Sequence, residues 1–316
     1  MNAVIVSNDL KEFMEANMHM TGQVHSVFNS AVNLITESDD LITLLCERKS
    51  IAPMSMMVKC DNFQNSFLKK GSQVVLMGTK IHFPDSREQI TLRNAEEWPV
   101  EVDLKFKPVT PQLFKKHISI LENVLEREGN MEGIASIVYH LSYPDGKSGF
   151  RSSRTVKMNQ YASFIHDRIQ QFMDDFQGND MIRYQEDLRK IIGFGPGLTP
   201  STDDFMVGFS ASLLYMTRLF GIKKRLVNHV NKRVYECSKG RTTRVSEELI
   251  KHVSEGKMSK LLQDMFTSLF SKEDDVLHGK LVELVSYGDT SGTDLLAGVY
   301  VAVRLFESEE VRRIYS

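Results

Sequence analysis

Val100-Glu-Val-Asp-Leu-Lys-Phe106 runs, within a few residues, into Thr110-Pro-Gln-Leu-Phe-Lys-Lys-His-Ile-Ser-Ile-Leu-Glu-Asn-Val-Leu125, and the hydrophobic period changes between them. The first segment alternates strictly between apolar and polar residues, the pattern of a half-buried strand. In the second, Leu113, His117, Leu121 and Leu125 recur at helical spacing behind Thr110 as N-cap and Pro111 at the first position. A switch of period in so short a stretch marks a change of architecture, which puts a domain boundary at Lys107. The predicted fold class is α+β, with a β-rich N-terminal domain over residues 1–107 and a mainly α-helical C-terminal domain over residues 108–316.

Upstream of the switch, Leu41-Ile-Thr-Leu-Leu-Cys46, Val74-Val-Leu-Met77 and Gln89-Ile-Thr-Leu-Arg93 are short β segments, separated by turn residues at Asp39-Asp40, Lys70-Gly71-Ser72 and Pro84-Asp85-Ser86. Strands of this length with tight turns predict an antiparallel barrel or sandwich. Downstream, helical patterns cover about 157–176, 181–192, 200–219, 224–236, 243–254, 257–270, 274–286 and 291–306, and residues 145–153 are the most linker-like stretch.

The formal charge of −2, from 39 basic and 41 acidic residues without long runs, supplies no basic field for a phosphate backbone, so nucleic acid is not an expected partner. Cys46, Cys60 and Cys237 form no CxxC pair, which argues against a disulfide framework or thiolate zinc site and suits a reduced, cytoplasmic protein. Asp9, Lys11, Glu12 and Glu15 interrupt the N-terminal apolar positions, and no window approaches the roughly 18 uninterrupted apolar residues of a membrane span.

The chemistry concentrates in Gly193-Phe-Gly-Pro-Gly-Leu-Thr-Pro-Ser-Thr-Asp-Asp-Phe205, a glycine-rich turn entering a helix, and in the shorter Gly288-Asp-Thr-Ser-Gly-Thr-Asp294. Superposing Gly197 on Gly288 also pairs Thr199 with Thr290, Thr202 with Thr293 and Asp203 with Asp294, leaving Asp204 opposite Leu295. Local structure alone accounts for the first stretch: Gly193 closes a helix, Thr199 caps the next, Pro200 takes its first position, and Asp203 and Asp204 complement its dipole. Three glycines in five residues exceed that need and let a ligand approach the backbone. Two such starts predict a pseudo-twofold pair whose converging N-termini hold a small anion such as phosphate or carboxylate, with either a bridging divalent cation or the anion on one helix end only. The candidate binding residues are Gly195, Gly197, Thr199, Ser201, Thr202, Gly288, Thr290, Ser291, Gly292 and Thr293. Asp203 and Asp294 are the catalytic candidates, and Asp203 with Asp204 the candidate ligands of Mg²⁺, the only cofactor the pattern suggests. No GK[ST] follows the glycines, which excludes a P-loop.

Gly195-Pro-Gly-Leu-Thr-Pro-Ser-Thr-Asp-Asp-Phe205, Thr242-Thr-Arg-Val-Ser246 and Gly288-Asp-Thr-Ser-Gly-Thr-Asp-Leu-Leu-Ala-Gly298 resemble the AllH-type family, once a domain of unknown function and now associated with oxamate carbamoyltransferase. Gly22-Gln-Val-His-Ser-Val-Phe28 and Ala31-Val-Asn-Leu34 resemble its opening strands, so the likeness extends over nearly the whole chain. The family more usually has glycine where this chain has Thr202. The resemblance implies a subunit of a three-subunit transferase of allantoin breakdown, a branch of purine degradation, acting with two other subunits to interconvert oxalurate and phosphate with oxamate and carbamoyl phosphate. It also adds Thr242 and Thr243 as binding candidates. The alternative is a non-catalytic assembly or regulatory subunit whose glycine loops only build helix junctions.

Arg241 and Arg244 lie three residues apart near a helix start, where a solvated helix start is the commoner reading and holding a carboxylate or phosphate the sharper one, and Arg244 joins the binding candidates behind the hydroxyls. His25, without a second histidine at ligand spacing, reads as structural, and Phe194, Phe205 and Phe209 as core. Cys237, near a helix end, reads as buried, and no nucleophile elbow is present.

Overall fold

Leu41–Cys46 forms β4, buried along nearly its whole length because it lies inside a sheet rather than at its edge. The other strands are β1 (Ala3–Ser7), β2 (Thr21–Val27), β3 (Ala31–Thr36), β5 (Ser55–Val58), β6 (Gln73–Leu76), β7 (Lys80–Phe83), β8 (Glu88–Thr91) and β9 (Glu96–Trp98). The computed structural model describes residues 1–102, 104–106, 109–143, 150, 156–271 and 273–316. Lys107 and Pro108, and the linker-like residues 145–153 apart from Phe150, therefore lie outside the described residues.

The nine strands make one curled sheet, a half-barrel, in the order β8-β7-β6-β2-β3-β4-β5-β1-β9. Most neighbours are antiparallel; β4 with β5 and β1 with β9 run parallel. The curl brings β8 back to the chain start, where Asn2 bridges Thr91 and the Thr91 N–H donates to the Met1 carbonyl at 3.2 Å. Alternating residues such as Val24, Val32, Leu34, Ile42, Leu44 and Ile81 fill the inside, together with Leu10 and Met14 from α1 (Asn8–Ala16). This sheet, α1 and residues Lys257–Leu261 form one compact unit, Met1–Val102 with Lys257–Leu261. The returning segment is tied in by the Met258 N–H donating to Val100 O (3.2 Å) and the Lys260 N–H donating to Ile51 O (2.9 Å).

Among the described residues of the stretch 100–106, which leave out Asp103, no strand forms. Glu101 makes only an isolated bridge to Lys257, and the regular strand lies earlier, at β9, cut off by Pro99, which cannot donate to a ladder. The alternation is real as burial at its start, since Val100 is buried and Glu101 exposed.

The second unit, Asp103–Gly256 with Leu262–Ser316, is helical. Its helices are α2 (Pro111–Glu128), α3 (Gln160–Gln177), α4 (Met181–Ile191), α5 (Ser201–Leu219), α6 (Lys224–Ser238), α7 (Arg244–Ser254), α8 (Lys260–Leu269, begun in the returning segment), α9 (Asp274–Val285), α10 (Ser291–Glu307) and α11 (Glu309–Tyr315). Thr110 caps α2 by accepting from the Leu113 N–H, with Pro111 in the first turn. Most helices are amphipathic, but α5 is buried at every residue from Ser201 to Met216, and α10 at nearly every residue from Gly292 to Phe306. Helices buried on all sides must be central ones. Phe172 and Phe176 of α3 pack against Phe209 of α5, Phe176 also against Phe306 of α10, and Phe106 stacks on Phe270 at 4.2 Å. Among the described residues no helix is long and apolar enough to cross a membrane.

Candidate functional site

The two central helices run parallel, with their N-termini side by side. Thr199 Oγ1 lies 2.9 Å from Ser291 Oγ ahead of the helices. Further along, Gly208 faces the backbone of Leu295 and Val299, while Gly298 faces that of Phe205 and Phe209. These contacts are symmetric, and they fix the register of the pseudo-twofold pair. They match Ser201 to Ser291, Asp204 to Asp294 and Gly208 to Gly298, so each helix opens with the same S-x-x-D-x-x-x-G pattern. The pairing of Asp203 with Asp294 expected from the loops is therefore one residue out of step within the helices. The glycine turns ahead of them differ in length, and an alignment anchored on Gly197 and Gly288 carries that difference into the helix.

At the first start, Gly193 ends α4 with φ +83°, the left-handed conformation that closes a helix, and its N–H donates to Asp203 Oδ1 at 2.8 Å. The Thr242 hydroxyl donates to Asp203 Oδ2. Burial raises the Asp203 pKa, against the lowering influence of Thr242, Gly193 and Ser246. Thr202 locks the same loop: Oγ1 accepts from the Phe194 N–H (3.0 Å) and donates to the Phe194 carbonyl (2.9 Å), which also takes the Thr202 N–H (3.1 Å). A glycine at 202 would lack the two side-chain bonds. Thr243 caps α7 through the Ser246 N–H and donates to Leu198 O at 2.6 Å, so the segment at 242–246 and the glycine loop are one assembly.

Thr199 does not cap α5. Pro200 occupies the N-cap position, leaving the Thr199 hydroxyl to turn toward Ser291. Arg244 does not face the loops as a free cation either, because it pairs with Glu248 at 2.6 Å along α7. Phe205 and Phe209 are core, as expected, whereas Phe194 is half-buried and stacks on the exposed Phe164 at 4.9 Å. Cys237 is buried, and His25 is half-buried with Nδ1 3.2 Å from Ser26 Oγ.

At the second start, Asp294 Oδ1 accepts from the buried Ile134 and Ala135 N–H groups at 2.8 and 2.9 Å. Thr293 Oγ1 accepts from the Asn130 N–H at 3.0 Å, and Asn130 Nδ2 donates to Asp289. Gly133 sits so close to the Asp294 carboxyl that a Cβ there would overlap it. Asn159, the N-cap of α3, donates to the carbonyls of Met131, Glu132 and Gly133 and so pins this loop. None of these partners stands out in the sequence, because a loop that folds back across a helix start has no local periodicity. The Gly292 N–H donates to Tyr287 O at 2.9 Å. Burial pushes the Asp294 pKa up to about 6, against the hydroxyls of Ser201 and Thr290 and the two amides.

Asp204 differs from Asp203 but shares one feature with Asp294. Asp204 is 5% exposed, and its Oδ2, like that of Asp294, has no hydrogen-bond partner among the described residues. Burial holds its pKa well above the usual carboxylate range; the Asp294 and Asp203 charges push the same way, and the nearby Ser291 and Thr199 hydroxyls oppose. Those two half-buried hydroxyls join it to exposed loop residues, Gly197 and Leu198 on one side and Tyr287 and Gly288 on the other. The Tyr287 hydroxyl is also raised in pKa, by burial and by Asp204. The residues proposed from sequence thus lie at the two helix starts, but with divided labour. Asp203, Thr202, Thr242, Thr243, Thr293 and Asp294 hold loops in place, while Thr199, Ser291 and Asp204 face one another. Asp203 and Asp204 turn to different partners, so they do not form the shared Mg²⁺ ligand pair expected from sequence. Among the described residues no group of three or more His, Cys, Asp or Glu side chains is arranged to hold a metal ion.

No curated protein and no solved structure matches the chain. The family model described as oxamate carbamoyltransferase subunit AllH matches residues 191–303, and that of the AllH family N-terminal domain matches residues 2–97. Since these two matches take in the curled sheet and both helix starts, the chain belongs to the AllH family of oxamate carbamoyltransferase subunits.

Proposed function

We propose that this chain brings to a cytoplasmic oxamate carbamoyltransferase the mouth between residues 195–199 and 287–291, where a small anionic substrate binds. A subunit of such an enzyme implies partners, and in this reading two other subunits complete it. The reaction exchanges oxalurate and phosphate for oxamate and carbamoyl phosphate, a step of allantoin breakdown. Carbamoyl transfer needs no protein nucleophile: in the direction written phosphate attacks the ureido carbonyl and oxamate leaves, and in reverse the oxamate nitrogen attacks carbamoyl phosphate and phosphate leaves, while the protein orients the reactants and stabilises developing charge.

The unpartnered, buried Oδ2 of Asp204 carries the assignment. Leaving a buried polar atom unsatisfied costs roughly 1–3 kcal/mol. Beside it Asp203, Thr202 and Thr293 are each satisfied; Ser201 Oγ and Asp294 Oδ2 are also without a partner, so the unsatisfied atoms gather in the first turns of α5 and α10. Local rules are broken where function requires it. With the partner subunits present, Asp204→Asn is expected to lower carbamoyl transfer by about a hundredfold while raising thermal stability at neutral pH. Wild-type turnover in the folded variant would remove Asp204 from the site.

A non-catalytic assembly role is favoured by a different observation: Asp203 Oδ1, Thr202 Oγ1 and Asp294 Oδ1 each bond loop backbone. Thermal melts of the full chain with carbamoyl phosphate, phosphate, oxamate or Mg²⁺ separate the two readings. Saturable stabilisation by one of these ligands is expected, and its absence for all four, alone and in the complex, supports the assembly role.

A further inference from the structure

The formal charge of −2 hides a local excess. Between Lys223 and Arg241 the chain carries seven lysines and arginines and a single acid, Glu236. Val227, Val230, Val234 and Cys237 form the buried side of α6, so its opposite side faces out. There Arg225, Lys232 and Lys239, the C-cap, recur every seven residues, and at about 100° per residue each lies within about 20° of the one before. The helical rise spaces them about 10 Å apart, in one line of exposed cations with Lys224 beside the first.

Elsewhere in this unit, cations on outer helix faces pair with carboxylates three or four residues away: Lys190 with Asp187, Lys280 with Glu283, Arg313 with Glu309. On α6 the one such pair, Arg233 with Glu236 at 2.8 Å, lies on the flank of the line. Among the described residues Lys224, Arg225, Lys232 and Lys239 have no carboxylate partner, and Lys239 lies instead over the Tyr235 ring at 4.6 Å. Lys223, Lys224 and Arg225 also crowd the start of α6, which has no side-chain cap and no acid in its first turn. Cations there face the positive end of the helix dipole, so the arrangement works against the stability of the helix itself. A line of charge that repels itself in the free chain is relieved by opposite charge brought from outside.

We infer that α6 is a docking helix, which presents the line Arg225, Lys232 and Lys239 to an acidic face of another subunit of the transferase. The complement is a row of carboxylates spaced about 10 Å apart along one element of that subunit. Membership of a family of enzyme subunits supplies a protein partner, whereas the nearly balanced charge of the whole chain supplies no long-range attraction for a nucleic acid. Docking through α6 stands whether or not the helix starts bind substrate.

The affinity of the full chain for its partner subunits, read by surface plasmon resonance at low and high salt, tests this. Wild-type affinity is expected to fall as salt rises, and the triple variant Arg225→Glu, Lys232→Glu, Lys239→Glu to bind at least about tenfold more weakly without a lower melting temperature, since glutamate suits the first turn of a helix. Glutamine at the same three positions is expected to give a smaller loss of the same sign. Lys59→Glu, Lys69→Glu, Lys70→Glu makes the same change of charge on exposed positions of the sheet unit and is expected to assemble as the wild type does. Assembly unaffected by the α6 substitutions, or weakened equally by both sets, overturns the inference. So does loss of duplex DNA binding in the α6 variants while the subunits still assemble, which would give the face to nucleic acid.

Discussion

Alanine at Gly208 or Gly298 is expected to destabilise the helical unit by about 3 kcal/mol or more, although alanine inside a helix ordinarily stabilises by about 1 kcal/mol over glycine. The sign reverses because neither glycine is there for flexibility. A Cβ on Gly208 would lie 2.9 Å from the Leu295 carbonyl carbon and closer still to its oxygen, and one on Gly298 would lie 2.8 Å from the Phe205 carbonyl carbon and 2.9 Å from the Phe209 nitrogen. These are backbone atoms of the facing helix, which cannot rotate away as a side chain can. The two most buried helices of the unit would have to separate along their contact, opening gaps around Phe209 and Val299. Gly279 supplies the control. It lies inside α9 with open space where its Cβ would stand, so Gly279→Ala is expected to add about 0.5–1 kcal/mol. Urea midpoints of the three variants read the contrast, and equal stability of Gly208→Ala and the parent would show that the helices are not held this close.

This contact also marks how far the sequence could be read. Most of the expected helices lie within a few residues of their periodic patterns, because amphipathic faces and caps are written locally, whereas α1, at Asn8–Ala16 among the strands, was not expected. Leu41–Cys46 is legible for the same reason. The return of Lys257–Leu261 to the sheet unit is not, since it is decided by backbone hydrogen bonds to Val100 and Ile51 far away in the chain. The site was half legible. Composition and glycine spacing singled out both helix starts, but matching them by their loops favoured Asp203, whereas the helix contact pairs Asp204 with Asp294. A glycine turn can gain or lose a residue at little penalty; a buried helix crossing cannot. The Ser-x-x-Asp-x-x-x-Gly spacing common to both helices was the better anchor.

Removing the Asp294 carboxyl tests the second start, and the expected result depends on the substitution and on pH. Asp294→Ala leaves the buried N–H groups of Ile134 and Ala135 without an acceptor. At roughly 1–3 kcal/mol for each orphaned group, the loss is expected to be about 4 kcal/mol and to free the loop at residues 129–135. Asp294→Asn keeps an acceptor oxygen in place and should be tolerated. The pH dependence follows from the direction of the shift. With a folded-state pKa of about 6 against an ordinary 3.8, the native chain holds the Asp294 proton more firmly than the unfolded chain does. Stability from this group is therefore fully present below about pH 4 and is lost as pH rises toward and through 6. At about 1.4 kcal/mol per unit the loss amounts to about 3 kcal/mol. Asp203 and Asp204, raised by the same burial, act with the same sign. Asn has no proton to lose, so the stability of Asp294→Asn relative to wild type is expected to climb by about 3 kcal/mol between pH 4 and pH 7, read from urea midpoints at each pH. A flat difference across that range would mean that Asp294 keeps an ordinary pKa, and the clamp on Ile134 and Ala135 would then be an anion stabilised by its two amides rather than an acid held neutral by burial.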